Sequence, residues 1–348
     1  MKSFDRSFLD QQAIPLEVAG TLRVLGEYRG RQELFARQMP QVLKTLRDIA
    51  IVQSTESSNR IEGVVVKEQR LQALMNQKIR PQNRSESEIV GYRDVLAKIH
   101  TSFEKLPVSP ETILRFHKDM FQRAGPQAGI RKKRDNTIEE RLPDGRWVTR
   151  FLPVATAETP FYMEHLCSRF NQFFSEGRID RLLLIHAFVL DFLCIHPFTD
   201  GNGRISRLLT VLMLHQAGYD VGRYISLERL IEQSKETYYE VLHRVSEQWH
   251  EGRHRILPWW DYSLGVMIAA YKEFEDRMGT VRASRGAKTA WVREAVNNLP
   301  AEFSMSELAR ACPGVSRPMI RVVLEALRGE GKLEVVGVGR GAIWRKRR

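Results

Sequence analysis

The chain has 348 residues, with 54 Lys and Arg against 42 Asp and Glu and a net charge of +12. Hydrophobic residues make up 43% and charged residues 28%, which fits a soluble globular protein of two to three domains and excludes a disordered or collagenous chain. Three cysteines, Cys167, Cys194 and Cys312, show no CxxC pairing, which argues against a disulfide-stapled scaffold and leads us to expect a cytoplasmic protein with reduced thiols.

The first residues, MKSFDRSFLDQQ, hold no apolar run and read as no secretory signal. Helical spacing of apolar residues then appears in 41-QVLKTLRDIAIVQS-54, with Gly63 placed as a helix C-cap, and in 111-ETILRFHKDMF-121. The segment 134-RDNTIEERLPDGRWVTRFLP-153 breaks that pattern, because a Pro-Asp-Gly turn between β-prone residues predicts a hairpin. Helical periodicity resumes in 162–174, 182–195, 206–218 and 236–249, with Gly218 as a second C-cap. Pro258 opens a further helix to Met278. The apolar run 182–198 is too short to span a bilayer and carries His186, Asp191 and His196, so it predicts a buried helix and no membrane contact. Residues 279–287 have few apolar side chains and read as a linker.

Residues 288–348 predict a winged helix-turn-helix. Helices are expected at 288–298, at 304–312 behind a Ser304–Glu307 capping box, and at 316–328 behind a Ser316 cap with Pro318 in the first turn. Strands 333–338 and 341–346 flank Gly339-Arg340 as a wing would. From Val281 onward there are fourteen Lys and Arg against six Asp and Glu, a surplus suited to a polyanion. In a DNA-binding reading, Ser316, Arg317, Ile320 and Arg321 face base edges of duplex DNA, and Arg340 with the 345-RKRR-348 tail meets phosphates. A dimerisation or protein-docking module, giving a homodimer, is the other use of such a fold.

The densest chemistry lies in 196-HPFTDGNGRISR-207. A glycine turn at a helix N-terminus aims backbone N–H groups at one point and favours an anion there. Arg204 and Arg207, three apart on the first turn, can reach a common anion. Asp200 beside a phosphate cradle suits Mg²⁺, and His196 at the rim can take a proton from a hydroxyl. Together these parts describe phosphoryl or nucleotidyl transfer.

His196, Phe198, Asp200, Gly201, Asn202, Gly203, Arg204 and Arg207 match the signature HxFx[D/E]GNGRxxR, and the stretch resembles the Fic (filamentation induced by cAMP) family. The resemblance extends over roughly residues 40–260. It implies transfer of AMP from ATP to a Ser, Thr or Tyr hydroxyl of a target protein, with His196 as general base and Asp200 on magnesium. Gly201, Asn202 and Gly203 would hold the α-phosphate, Arg204 and Arg207 the distal phosphates, and Phe198 would anchor the loop in the core. The hairpin sits where the family has its flap, with Asn136, Thr137 and Ile138 nearest the target segment. Tyr238 and Tyr239 resemble the aromatic pair beside adenine. The segment 58-SNRIEG-63 is similar to the family's inhibitory motif [S/T]xxxE[G/N], which implies that Glu62, supported by Ser58, pairs with Arg207.

The expected protein is therefore mainly α. An N-terminal helical region (1–88) carries the inhibitory helix, followed by a Fic-type helical core with a β-hairpin flap (89–278), a linker (279–287) and a winged helix (288–348). The expected function is an autoinhibited protein adenylyltransferase. The alternatives are a DNA-binding regulator whose core senses nucleotide, and a Fic enzyme that removes AMP or transfers another phosphate-containing group.

Overall fold

Helices dominate the computed structural model, which describes residues 2–38, 40–141, 144–283, 287–312, 315–337 and 343–347. Two compact units emerge, one from residues 1–29 and 46–271, the other from residues 30–45 and 272–348.

In chain order the helices up to the hairpin are α1 (Arg6–Asp10), α2 (Leu16–Gln38), α3 (Pro40–Ile61), α4 (Glu68–Met75), α5 (Arg84–Ser102) and α6 (Pro110–Phe121). The hairpin pairs β1 (Ile138–Arg141) with β2 (Trp147–Phe151) antiparallel, with an irregularity between Ile138 and Glu139. Then follow α7 (Thr159–Glu176), α8 (Arg181–Ile195), α9 (Asn202–Gln216), α10 (Leu227–Gln233), α11 (Lys235–Ser246) and α12 (Leu257–Ala283).

The first unit is built around α8. Every residue from Leu182 to Ile195 is buried, as a helix apolar on all sides requires. Each large side chain there contributes about 1.5–3 kcal/mol by leaving water. Asp180 caps the start by accepting from the Leu182 N–H at 2.8 Å. Helices α7 and α9 pack on either side. Two tryptophans of α12 dock their indoles onto α8, Trp259 Nε1–H donating to the His186 carbonyl at 2.8 Å and Trp260 Nε1–H to that of Leu183 at 3.0 Å. Helices α5 and α6 meet where Gly91 faces the Met120 backbone, a contact any Cβ would obstruct. The two cysteines of this unit, Cys167 and Cys194, are free and buried.

In the second unit, α13 (Ala287–Asn298), β3 (Glu302–Ser304), α14 (Met305–Ala311), α15 (Arg317–Gly329), β4 (Leu333–Val336) and β5 (Ile343–Lys346) follow in order. The strands form an antiparallel sheet in the order β3-β5-β4. Val296, Phe303, Leu308, Ile320, Leu324 and Trp344 lie in its core. The Ser304–Glu307 capping box is present, whereas Ser316 occupies the N-cap of α15 without a side-chain bond. Helix α12 continues to Ala283, through residues whose polar sequence reads as linker. Pro143 of the hairpin turn, residues 284–286 of the linker, Pro313-Gly314, and Gly339 and Arg340 of the wing lie outside the described residues. Among the described residues no helix is long and apolar enough to cross a membrane.

Candidate active site

The signature begins where α8 ends. His196 takes a left-handed backbone (φ 52°, ψ 62°) and its N–H still reaches the Phe192 carbonyl at 2.9 Å. Its ring Nδ1 lies 3.3 Å from the Leu193 carbonyl. A carbonyl only accepts, so Nδ1 carries the proton and Nε2 keeps its lone pair. Burial lowers the imidazole pKa to about 4, which leaves the ring neutral and able to act as a base at neutral pH.

The loop from Pro197 to Gly203 is closed by its own side chains. Asn202 Oδ1 accepts from the Phe198 N–H at 3.0 Å, and its Nδ2 donates to the Phe198 carbonyl at 2.8 Å. Asn202 thus shapes the loop with its amide. Phe198 is buried and stacks on His117 with ring centroids 3.9 Å apart. His117 Nδ1 accepts from the Gly129 N–H at 2.9 Å, so its Nε2 is protonated and donates to the Asp200 carbonyl at 3.1 Å. Gly201 has φ 87°, and a Cβ there would run into the Phe121 ring; the position needs glycine on both counts. As the N-cap of α9 it offers no capping side chain, so the dipole and first amides of that helix remain available to an anion.

Glu62 lies beside the first turn of that helix. A Cβ on Gly203 would collide with Glu62 Oε1, which places the carboxylate against the first turn of α9. Arg207 Nη2 donates to the same Oε1 at 2.7 Å. Ser58 holds the rest of the guanidinium, its Oγ accepting from Nε at 2.8 Å and its carbonyl from Nη2 at 2.9 Å. Burial works against the charge on Arg207, yet the Glu62 carboxylate holds its pKa above the ordinary value. Arg207 Nη1 is buried with no hydrogen-bond partner among the described residues.

Arg204 departs from the expectation drawn from spacing. It is 1% exposed and turned inward. Its Nη1 bonds Glu88, its Nη2 bonds Asp200 Oδ1 at 3.1 Å, and its guanidinium lies 5.0 Å from the Phe121 ring centroid. Arg84 completes a ring of alternating charge, with Nε 2.6 Å from Glu88 Oε1 and Nη2 2.8 Å from Asp200 Oδ2. Arg204 therefore organises the loop from beneath, and Arg207 alone stands at the anion position. No sequence signal links residues 84 and 88 to the signature; their role comes from α5 packing against α9.

The Asp200 side chain remains 43% exposed. Among the described residues no three His, Cys, Asp or Glu gather as a cage for a metal ion. One exposed carboxylate at the rim suits Mg²⁺, which takes one or two carboxylates and completes its shell with phosphate oxygens and water. Both Asp200 oxygens accept from guanidinium groups, so Arg84 must leave Oδ2 before a cation can use it.

Of the tyrosine pair, Tyr238 is buried and its ring centroid lies 5.8 Å from Trp259 and 6.0 Å from Tyr262. It lines a small cavity with Arg207, Trp259 and Tyr262. Tyr239 is 42% exposed, and it alone could lie against a base. At the hairpin, Asn136 is turned to the signature, with Oδ1 accepting from Lys132 Nζ at 2.9 Å and Nδ2 donating to the Phe198 carbonyl at 3.4 Å. Thr137 is exposed and Ile138 opens β1.

In the second unit, Ser316, Arg317 and Arg321 are exposed on α15. Ile320 is 0% exposed and belongs to the core, so it cannot face a base edge; the residues three and four positions after Arg317 divide between the two faces. The tail cations are also engaged, Arg345 with Glu302 and Glu334, Arg347 with Glu334, and Lys346 with the Asn297 and Leu299 carbonyls.

Residues 107–214 match the model of the Fic/DOC family. This stretch is similar to a Fic domain and holds the whole signature. The chain is 28% identical over 145 residues to protein adenylyltransferase fic-1 of Caenorhabditis briggsae, an alignment covering 39% of this chain and 25% of that protein. It thus spans about a quarter of the length of that curated relative. A Fic family protein from Desulfovibrio desulfuricans shares the fold over 97% of both chains, with a TM-score of 0.63 and 19% identity. A Fic domain-containing signalling protein from Bacteroides thetaiotaomicron aligns over 72% of this chain and 94% of its own, with a TM-score of 0.59 and 21% identity. Fic-1 from Caenorhabditis elegans aligns over 76% of this chain and 74% of its own, with a TM-score of 0.56 and 20% identity. The matched stretch includes His196, the glycine turn and both signature arginines.

Proposed function

We propose that this protein is a transferase that moves AMP from ATP to a hydroxyl of a protein side chain, and that Glu62 restrains it. His196, with Nδ1 tied to the Leu193 carbonyl and Nε2 left to accept a proton, a few residues before the uncapped start of α9, is the observation that carries the reading. A target hydroxyl gives its proton to Nε2 while its oxygen attacks the α-phosphorus. The bond from that phosphorus to the bridging oxygen breaks, and pyrophosphate leaves. The amides of Gly201 to Gly203 hold the α-phosphate oxygens, stabilising charge as it develops. Arg207 receives the distal phosphate through Nη1 and, once Glu62 has gone, Nη2. Asp200 would hold a magnesium ion, which would supply positive charge to the phosphates.

The hairpin holds the target as an added strand beside Asn136 to Ile138, which orients the hydroxyl toward His196. Tyr239 supports the adenine. Glu62 restrains transfer by filling the anion position and taking the Arg207 charge that the γ-phosphate needs, so ATP settles in an unproductive pose. The second unit adds a winged helix whose exposed Arg317 and Arg321 suit duplex DNA, in a protein of the cytoplasm. The test is radiolabel transfer from ATP to protein with and without His196; equal labelling by parent and His196→Ala would end the reading.

A further inference from the structure

Lys132 is buried six residues before the hairpin, and none of the roles assigned so far uses it. Its Nζ donates to three oxygens: Asn136 Oδ1 at 2.9 Å, the Val154 carbonyl at 2.6 Å and the Ile195 carbonyl at 3.3 Å. An ammonium has three N–H groups and no acceptor, so these three partners use it fully. Its backbone N–H donates to the Pro197 carbonyl at 2.9 Å. Ile195 and Pro197 are the two neighbours of His196, and Lys132 holds both of their carbonyls.

His196 needs such restraint. It is one of three non-glycine residues with positive φ among the described residues, and a left-handed backbone of this kind costs on the order of 1–3 kcal/mol unless its surroundings impose it. The ring direction follows from that backbone. The same lysine reaches the hairpin through Asn136, whose Nδ2 goes on to the Phe198 carbonyl. A buried ammonium held by neutral oxygens is a poor device for stability alone, since an apolar side chain of similar volume fills such a place without the desolvation penalty.

Resting on the reading of His196 as base, we propose that Lys132 is a positioning residue: it fixes the backbone on both sides of His196 and ties it to the hairpin that receives the target. The fixed cation also opposes protonation of the imidazole, which keeps Nε2 available before attack.

The experiment compares Lys132→Met, Lys132→Arg and Asn136→Ala, each in a Glu62→Gly background, by ATP kinetics and by ¹⁵N spectra of labelled histidine. Displacing a reacting group slightly costs up to about 10²-fold, so Lys132→Met should lower kcat by about ten- to a hundred-fold while the ATP KM moves by less than about twofold. The His196 signal should change from one Nδ1-protonated tautomer to a mixture, and Lys132→Arg should recover part of both. A folded Lys132→Met with parental kcat and an unchanged His196 spectrum overturns the proposal. Should that variant fail to fold, Asn136→Ala decides: a smaller kcat loss with a shifted His196 signal supports the tether, and no change in either overturns it. If Glu62→Gly itself transfers no AMP, the function assigned above has failed, and the histidine spectra still judge the positioning role.

Discussion

Replacing Glu62 by glycine should turn the enzyme on, and the geometry sets the scale. The substitution removes one charge-assisted bond, from Arg207 Nη2 to Glu62 Oε1 at 2.7 Å, and clears a carboxylate from the first turn of α9. Such a bond contributes about 1.5–3 kcal/mol, which is about ten- to a hundred-fold in the equilibrium between the restrained and productive poses. Arg207 does not collapse when its partner goes, because Ser58 still holds Nε and Nη2. The guanidinium therefore stays where a γ-phosphate would find it, and the gain should appear in the rate of AMP transfer. Time courses with ATP labelled in the α-phosphate compare the parent, Glu62→Gly, and Glu62→Gly with Arg207→Ala. The first substitution should raise the rate by about ten- to a hundred-fold and the second should erase the gain. An unchanged or lower rate in folded Glu62→Gly would refute the reasoning. In that case a companion loss of AMP removal would assign Glu62 to orienting a hydrolytic water.

His196→Ala should lower transfer by about 10²–10⁴-fold with ATP binding retained, read by the same labelling and by calorimetry with a non-hydrolysable analogue. Because burial holds the His196 pKa at about 4, the base form is complete above about pH 5 and is lost as the pH falls through that value; a His196-dependent inflection of kcat near pH 6.5, the ordinary histidine range, would contradict this. Arg84→Ala frees Asp200 Oδ2, so half-maximal transfer should need less Mg²⁺, and an unchanged or higher requirement would show that Arg84 does not compete for that oxygen. Arg317→Ala with Arg321→Ala should weaken duplex DNA binding uniformly and reduce its salt slope by about two; unaltered binding would remove α15 from the interface.

Much of the first unit was legible because its signals are local. The largely apolar run 182–195 reads as an interior helix, and the Asp-Gly-Asn-Gly turn stops one helix and starts the next. The hairpin followed from its turn residues, as in the second unit the Ser304–Glu307 capping box followed from a spacing of three. Helices α2 and α5 were missed because their sequences mix charge into faces that pack, as Glu86 and Glu88, both buried, illustrate. Partners far apart in sequence were missed for a different reason. Arg84 and Asp200 are separated by 116 residues, and Lys132 and Ile195 by 63, so only packing brings them together. Spacing also misled at Arg204, since two side chains on one helical turn need not point the same way when one of them finds buried Glu88.

Intact mass spectrometry of purified Glu62→Gly after incubation with ATP and Mg²⁺ tests the central claim most directly. The account predicts a mass increment of one or more AMP groups on the chain or on an added acceptor protein, absent from Glu62→Gly with His196→Ala. Unmodified protein in the presence of an acceptor, or an increment that survives loss of His196, would contradict it.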